Sequence, residues 1–445
     1  MTDISPDNQQ PHVVNPSTAS LGEEVPLVTR VLKFRTISAR GRFLVSRTFY
    51  TLRYREFRLF WMALVVSLLG VSFQTVAQSW LVYRLTNSPL MLGVTGFIPA
   101  LVAAPASVLG GLLADRVSRR NLVIITQTLM MIPPVVLAYL IWRNQVQPWH
   151  VIAATAVLAI VAAVDLPSRT SMVPQLVPAD DLLNAQGLAS AVGQVTRIIG
   201  PALAGLIVAL WGEAVPYLIN GLTYLAMVVA LLMMNPIPPV ERDRREGVRS
   251  SLLGGFRYTL RTPIVFGLFL TVAAQGFFLS AYVTLLPVFA KDILNVGARG
   301  LGWLNAAAGA GALLGALGVA NLQTGRRGWV LNFGGFIMPA VLVAFAWSGN
   351  FYASVPLLLL LGAGTVIIRT IAATFLLTIV PDSLRGRVIS LATMIFYGAP
   401  YAAGLPVGYF AERWGTPIVL SLCAPLFLAS LLWVYWKMPE IRRRA

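Results

Sequence analysis

Long runs of apolar residues alternate with short polar breaks along most of the chain. About twelve such runs follow residue 57, and each is long enough for a helix that crosses roughly 30 Å of hydrocarbon at about 1.5 Å per residue. Most breaks are shorter than about ten residues, as in antiparallel helical bundles. The predicted spans lie near 57–83, 90–114, 121–143, 149–173, 185–211, 215–235, 262–290, 298–322, 329–348, 352–380, 388–411 and 416–437. The pattern therefore predicts an all-α membrane protein with 12 transmembrane helices.

The longest polar break divides the chain into two predicted halves of six helices each. In this break, prolines end the sixth helix and charged residues follow. We predict five parts: a disordered or interfacial N-terminal segment, an N-terminal six-helix bundle, a linker, a C-terminal six-helix bundle and a basic tail. Their bounds are 1–50, 51–235, 236–261, 262–437 and 438–445.

Composition supports a membrane class and argues against several kinds of chemistry. Of 445 residues, 57% are hydrophobic and 11% are charged, with a mean hydropathy of +0.74, whereas soluble domains have about 25% charged residues. One cysteine, Cys423, and two histidines leave no set of residues for a disulfide, a metal cluster or histidine chemistry. The sequence has no phosphate-binding loop, no acid pair within one span and no Ser-Lys dyad within a helix. We therefore expect neither an enzyme nor a bound cofactor.

The positive charges lie mostly on one side of the predicted helices. Of the 34 Lys and Arg residues, about 27 lie in segments on the side of the N-terminus. The opposite side holds only Arg84, Arg143, Lys291, Arg299 and Arg413. By the positive-inside rule, both termini and the linker are cytoplasmic. The net charge of +17 then reflects the topology of the chain and also favours contact with anionic lipids. We therefore expect no nucleic acid partner.

A charged loop joins the second and third predicted helices, where residues 110–120 are GGLLADRVSRR. Each charge would cost about 2.5–3.5 kcal/mol at the bilayer centre, so the loop lies at a membrane surface. The string resembles motif A of the major facilitator superfamily, with Ser118 in place of the second glycine. The resemblance implies a conformational latch in which Asp115 faces the positive end of the eleventh helix, near Val388. The latch residues are Gly111, Asp115, Arg116, Arg119 and Arg120. A loop that only sets topology is the alternative interpretation.

Further strings narrow the resemblance to one branch of that superfamily. Residues 52–61, LRYREFRLFW, residues 165–169, DLPSR, and residues 197–205, RIIGPALAG, are similar to bacterial enterobactin-exporter-like and macrolide-efflux-like proteins. The two halves also share a repeated order of short strings. Val-Pro at 177–178 is followed by Gly-Pro at 200–201, and Val-Pro at 380–381 is followed by Gly-Ala-Pro at 398–400. The resemblance therefore implies two pseudo-symmetric halves of the major facilitator fold.

The same resemblance implies a function. It predicts a secondary exporter in the bacterial inner membrane that works by alternating access and proton antiport. The expected partners are a small amphiphilic substrate (a siderophore, a drug or a similar metabolite), membrane lipids and protons, and we expect a monomer. A lipid or lysophospholipid translocase of the same fold is the alternative.

The fifth predicted helix contains a partial antiporter motif. Gly200, Pro201 and Gly205 match motif C of the family, whereas Thr196 and Ala204 replace expected glycines. Proline interrupts the helical hydrogen bonds and glycine permits close packing against the eighth helix, so the motif predicts a bend. A plain kink without bearing on transport direction is the alternative.

Few charges remain inside the predicted spans. They are Asp165, Arg197 and Arg369, and because intramembrane charges are costly they usually face a cavity or each other. We expect Asp165 to titrate, with Arg197 as its partner or as an anion-binding group; a helix-end acid and a structural arginine are the alternatives. Gln74 and Gln78 in the first helix complete the candidate coupling and substrate residues. Of the 17 acids, only Asp165 and Asp115 are expected at or within a span edge.

The charge asymmetry makes the topology testable. In a Cys423→Ser background, single cysteines at Ser88 and Ser251 are treated with a membrane-impermeant thiol reagent. The cysteine at Ser88 should react in intact cells, and the one at Ser251 should react only after the cells are opened. Labelling of Ser251 from outside intact cells contradicts the prediction.

Overall fold

The computed structural model describes residues 49–114, 118–235, 256–322 and 327–437. These ranges contain no strand, and twelve long helices, α1 to α12, follow one another along them. Their bounds are Arg55–Thr86, Pro89–Ala114, Arg119–Trp142, Pro148–Thr170, Leu182–Trp211, Ala214–Met233, Pro263–Ile293, Gly297–Ala320, Arg327–Ala346, Phe351–Ile379, Asp382–Trp414 and Thr416–Lys437. A short helix, Val173–Leu176, lies between α4 and α5.

The helices agree with a chain that crosses a membrane many times. Ten of them, within the described ranges, are long and apolar enough to span a bilayer. The described parts of α2 and α9 contribute shorter apolar stretches, Pro89–Val102 and Gly334–Ala346. The prediction of an all-α membrane protein is therefore confirmed. Ten of the 12 predicted spans have the length and the composition of a membrane-spanning helix in the described residues.

Tight turns connect the odd-numbered helices to the helices that follow them. Asn87, Asn144 and Asn295 adopt positive φ values of 49°, 54° and 53°, and Gly212 and Gly415 adopt 78° and 88°. Asparagine and glycine tolerate this left-handed backbone, which lets a helix end and reverse within a few residues. We call the end of the bundle that holds these turns the turn end. The opposite end, which holds 171–181, is called the linker end.

The seventh helix is not the regular helix that its apolar run predicts. Two π-helical segments, Gln275–Leu279 and Phe289–Ile293, interrupt it. At the first, a side chain at Gly276 would place its Cβ 2.9 Å from the Cβ of Ala399 in α11. The first π segment thus packs closely on α11, and single π turns are common at functional positions.

Buried apolar residues form one shared core at the turn end and two separate cores at the linker end. The largest cluster contains residues of both halves, such as Leu81, Tyr217 and Leu285. A second cluster, around Phe57 and Met227, holds described residues of the N-terminal half alone, and a third, around Leu268 and Leu376, those of the C-terminal half alone. In the described part of the chain, the halves therefore share apolar packing only towards the turn end.

Two helix pairs join the halves, and glycines allow their backbones to touch. In the pair α5 and α8, a Cβ at Gly205 would lie 2.6 Å from the carbonyl oxygen of Ala298. In the pair α2 and α11, a Cβ at Gly93 would lie 2.2 Å from the carbonyl oxygen of Gly404. Small residues favour such contacts in membranes, where close van der Waals packing drives helix association.

The contact between Gly205 and α8 predicts different effects of substitution at two glycines of α5. Gly205→Ala inserts a methyl group against the backbone of α8, and we expect a loss of about 1–3 kcal/mol of stability from overpacking. A Cβ at Gly193 would meet no neighbouring atom within 4 Å, so Gly193→Ala is the matched control. That control should be neutral or stabilising by up to about 1 kcal/mol, because alanine favours helix. Thermal unfolding of the purified variants in detergent measures both, and equal stability of the two variants contradicts the assigned contact.

Candidate functional site

A buried carboxylate lies between α3 and α4. Asp165 is 1% exposed, and its Oδ1 accepts hydrogen bonds from Thr126 Oγ1 at 2.7 Å and from Gln127 Nε2 at 2.9 Å. Its Oδ2 lies 3.4 Å from Nε of Arg169, one turn further along α4. We call these four residues the Asp165 cluster. Because a buried charge is costly unless it is paired and hydrogen-bonded, these partners are what stabilise the carboxylate here.

Gln127 gives the cluster a second property. Its side chain is fully buried, yet its Oε1 has no hydrogen-bond partner among the described residues. Buried amides usually use both ends. If Asp165 were protonated, rotation of this amide would bring Oε1 to the new O–H group as an acceptor. Gln127 can therefore hydrogen-bond Asp165 in either protonation state.

The arginine that pairs with Asp165 is not the one predicted. The predicted partner was Arg197, with anion binding as its other predicted role, whereas the ion pair is made by Arg169. Arg197 is exposed on α5, and its backbone carbonyl oxygen contacts α8 at Gly309. Arg369 is half-buried on α10. Asp165 and Arg197 both lie inside predicted spans, but an ion pair also requires that both side chains point to the same interface.

Gln74 and Gln78 of α1 both contact other helices of the N-terminal half. Gln74 Oε1 accepts a hydrogen bond from Asn220 Nδ2 of α6, and that amide lies 3.4 Å from the hydroxyl of Tyr224. Gln78 Nε2 donates to Thr155 Oγ1 of α4 at 3.0 Å. The two glutamines thus belong to polar contacts that connect α1 with α6 and α4.

The arginines of the motif A loop bind the ends of neighbouring helices. Arg119 Nη1 donates to the carbonyl of Ser171 at 2.7 Å, and Arg120 Nε donates to the carbonyl of Leu231 at 2.8 Å. Cationic side chains stabilise helix C-terminal ends in this way. Ser118 is the N-cap of α3 and accepts a hydrogen bond from the Asn121 N–H at 3.4 Å.

The remaining residues of the predicted latch are Gly111, Asp115 and Arg116. Asp115 and Arg116 lie outside the described residues. Gly111 lies within α2. The predicted latch contact between Asp115 and the start of α11 therefore stays a prediction.

The glycines of the fifth-helix motif face two different helices. A Cβ at Gly200 would lie 2.4 Å from Ser72 Cβ in α1. The carbonyl of Pro201 and the backbone of Gly205 instead contact Gly302 in α8. The motif thus positions α5 between α1 and α8, one helix from each half.

Several acids at the turn end were not predicted from the sequence. The prediction that only Asp165 and Asp115 lie at a span edge is wrong, because Glu213, Asp292 and Glu412 occupy helix ends or their caps. Their position beside the short predicted loops is the signal that could have found them. That signal is weak, because no recognisable motif surrounds these acids.

Two of the polar contacts at the turn end connect α1 or its turn with α7. The hydroxyl of Tyr83 bonds to Asp292, and the ammonium group of Lys291 bonds to the side-chain oxygen of Asn87. Both α7 residues belong to its second π-helical segment. The π turn therefore presents an acid and a base to the other half.

The described residues contain no group of three or more His, Cys, Asp or Glu side chains arranged to hold a metal ion.

Comparison with known proteins gives a family match along most of the chain. The sequence model for transmembrane secretion effectors, a family of the major facilitator superfamily, matches residues 46–445. The enterobactin exporter EntS of Shigella boydii serotype 18 is 25% identical over 356 residues, which cover 76% of this chain and 80% of that protein. The enterobactin exporter EntS of Escherichia coli O139:H28 has the same identity and coverage.

Solved structures match in fold at low sequence identity. A bacterial homolog of the human lysosomal transporter Spinster has a TM-score of 0.72 and 12% identity, with 88% of this chain and 98% of that chain covered. The nucleoside transporter NupG has a TM-score of 0.66 and 13% identity, with 85% and 98% covered.

The geometry of the Asp165 cluster predicts unequal effects for two arginines. Arg169→Gln leaves the buried carboxylate without its charge partner and should lower the free energy of unfolding by about 3–5 kcal/mol. Arg197→Gln is the matched control and should change stability by less than about 0.5 kcal/mol, since Arg197 is exposed. Adding Asp165→Asn to Arg169→Gln should restore part of the loss. Thermal unfolding of purified protein measures all three, and a larger effect at Arg197 than at Arg169 contradicts the pairing.

Proposed function

Because the chain belongs to the transmembrane secretion effector family of the major facilitator superfamily, we propose that it exports a small amphiphilic compound by alternating access and proton antiport. The family assignment itself confirms the predicted fold and the resemblance to enterobactin exporters. The protein is a membrane transporter and not an enzyme, and it is a multi-pass protein of the bacterial inner membrane. The direction, the compound and the coupling ion are the proposed parts.

The observation that carries the proposal is the Asp165 cluster. An antiporter needs a group that takes up and releases a proton as the protein changes conformation. Asp165 is buried and ion-paired with Arg169, so protonation would remove one of two charges that stabilise each other. Gln127 has the spare acceptor that the protonated form requires. Gln127 would thus keep a hydrogen bond to Asp165 in either protonation state, whereas protonation would end the ion pair with Arg169.

The separation of the apolar cores supports entry of substrate from the linker end. At that end, each half has its own cluster of buried described residues, whereas a shared core joins the halves at the turn end. The proposed cytoplasmic position of the linker end makes this the side from which an exporter takes its substrate. The orientation rests on the excess of Lys and Arg there.

Arg197 supports the proposal that the substrate carries an anionic group. It is exposed near the middle of α5, and an arginine at that depth calls for an anionic partner. Its guanidinium can bind a carboxylate through two parallel hydrogen bonds. Similarity to proteins named enterobactin exporters agrees with a siderophore-like compound. Arg369 and the two glutamines of α1 remain candidate substrate or coupling residues.

Motif A completes the proposed cycle. Arg119 and Arg120 attach the start of α3 to the ends of α4 and α6, all within the N-terminal half. We propose that Asp115 then binds the N-terminal end of α11 when the linker end closes. The helix terminus would supply up to about 2 kcal/mol if the contact is partly buried.

Transport by Asp165→Asn variants tests the coupling. The assay uses inside-out vesicles with iron-free enterobactin as the compound and an acridine dye that reports the proton gradient. Wild-type vesicles should accumulate the compound when the gradient is imposed. Asp165→Asn should lose at least about 90% of this accumulation, because it has no proton to exchange, and should still exchange the compound down its gradient. Asp180→Asn, an exposed acid of the 171–181 segment, is the matched control and should behave like wild type.

Other outcomes contradict separate parts of the proposal. Gradient-driven accumulation that persists in Asp165→Asn places coupling elsewhere, with Asp115 as the next candidate. Movement of a fluorescent lysophospholipid without any gradient, in vesicles that fail to move enterobactin, would favour the lipid translocase.

A further inference from the structure

Glu412 of α11 binds the first turn of α2 in the other half. Its Oε2 accepts the O–H of Ser88 and the backbone N–H of Leu90, the latter at 3.1 Å. Ser88 Oγ in turn accepts the N–H of Met91 at 3.2 Å. The first free N–H groups of α2 are thus satisfied by its own serine and by a carboxylate from the opposite half.

The position of Glu412 is unfavourable within its own helix. It lies in the last turn of α11, where an acid is repelled by the negative end of the helix dipole. The N-terminal end of α2 offers the opposite: a positive dipole end and N–H groups that need acceptors. The dipole of α2 therefore stabilises the charge of Glu412, whereas the dipole of α11, the helix that carries it, does not.

The register of α11 keeps Glu412 on the face that contacts α2. Gly404, Gly408 and Glu412 are spaced by four residues, so they follow one another along one side of the helix. A Cβ at Gly408 would lie 2.5 Å from the carbonyl oxygen of Pro89, and a Cβ at Gly93 would lie 2.2 Å from that of Gly404. The face of α11 that makes backbone contact with α2 is thus the same face that carries the carboxylate of Glu412.

Nearby charges are engaged elsewhere. The guanidinium of Arg413 lies 4.4 Å from the ring centroid of Tyr409, and Lys291 binds Asn87. Among the described residues, Glu412 takes part in no ion pair within 4.0 Å. It lines an open cavity of about 320 Å³ at the turn end, so water can replace its partners when the helices separate.

We infer that Glu412 is a charged latch that holds the turn end closed by capping α2. When the halves separate there, Glu412 and the N–H of Leu90 each turn to water, so the contact stabilises the closed turn end alone. The arrangement mirrors the proposed contact of Asp115 with α11. Each helix of this antiparallel pair would carry an acid at its C-terminal end for the N-terminal end of the other. The latch requires alternating access, but neither a particular compound nor proton coupling.

Spin-label distances across the turn end test the latch without any substrate. Labels are attached to Gln145→Cys and Gly349→Cys in a Cys423→Ser background, because both sites are exposed in turn-end loops of opposite halves. Glu412→Gln should shift the labels towards longer distances and lower the ratio of closed to open molecules roughly threefold to tenfold. This range applies to a charged hydrogen bond that is partly exposed. About 1 M salt should reduce the difference between wild type and variant.

Two further variants keep the test decisive. Glu213→Gln is the matched control, since Glu213 pairs with Arg84 at the same end but within the N-terminal half. It should keep the wild-type distances. Ser88→Ala removes one of the two donors and should shift the distances in the same direction as Glu412→Gln, so it replaces that variant if Glu412→Gln does not fold. Unchanged distances in the folded Glu412 or Ser88 variant, or an equal shift in Glu213→Gln, overturn the latch.

Discussion

Contact between helix backbones of the two halves is the constraint on which the remaining structure depends. In a bilayer no hydrophobic force drives apolar helices together, so association requires close packing of small residues. The pairs α5–α8 and α2–α11 meet this requirement through glycines at which a single methyl group would collide with a carbonyl oxygen. Polar contacts at the turn end and the shared apolar core both follow from helices held this close.

The fold was predictable because lipid imposes simple rules. Each crossing needs a long apolar run, so the spans and the division near residue 236 can be read from the pattern. The two π-helical segments of α7 were not predictable, since no local pattern in the sequence encodes them. Left-handed turns at Asn87 and Asn144 were equally hidden, because asparagine also occurs in many other loops.

The candidate site was predictable in part. Asp165 is conspicuous as a charge within an apolar run, but its partner is not. Arg169 stands four residues away on the same helix, a spacing that brings side chains together. The cost of a charge within a span instead directed the prediction to Arg197. Gln127 and Thr126 belong to another helix, and their contribution depends on how α3 is rotated about its axis. Rotation of this kind follows from packing and is not fixed by hydropathy.

Tight turns at one end of the bundle have a mechanical consequence. A helix that reverses direction through one or two residues of left-handed backbone cannot slide far along its successor, so α1 with α2, α3 with α4 and α11 with α12 behave as stiff hairpins. The longer segment 171–181 at the linker end is instead packed into the N-terminal half, where Met172, Val173 and Leu176 are buried. In the proposed alternating-access cycle, whole hairpins would then move as units, and a displacement of one helix at the turn end would be transmitted along its partner to the opposite membrane surface.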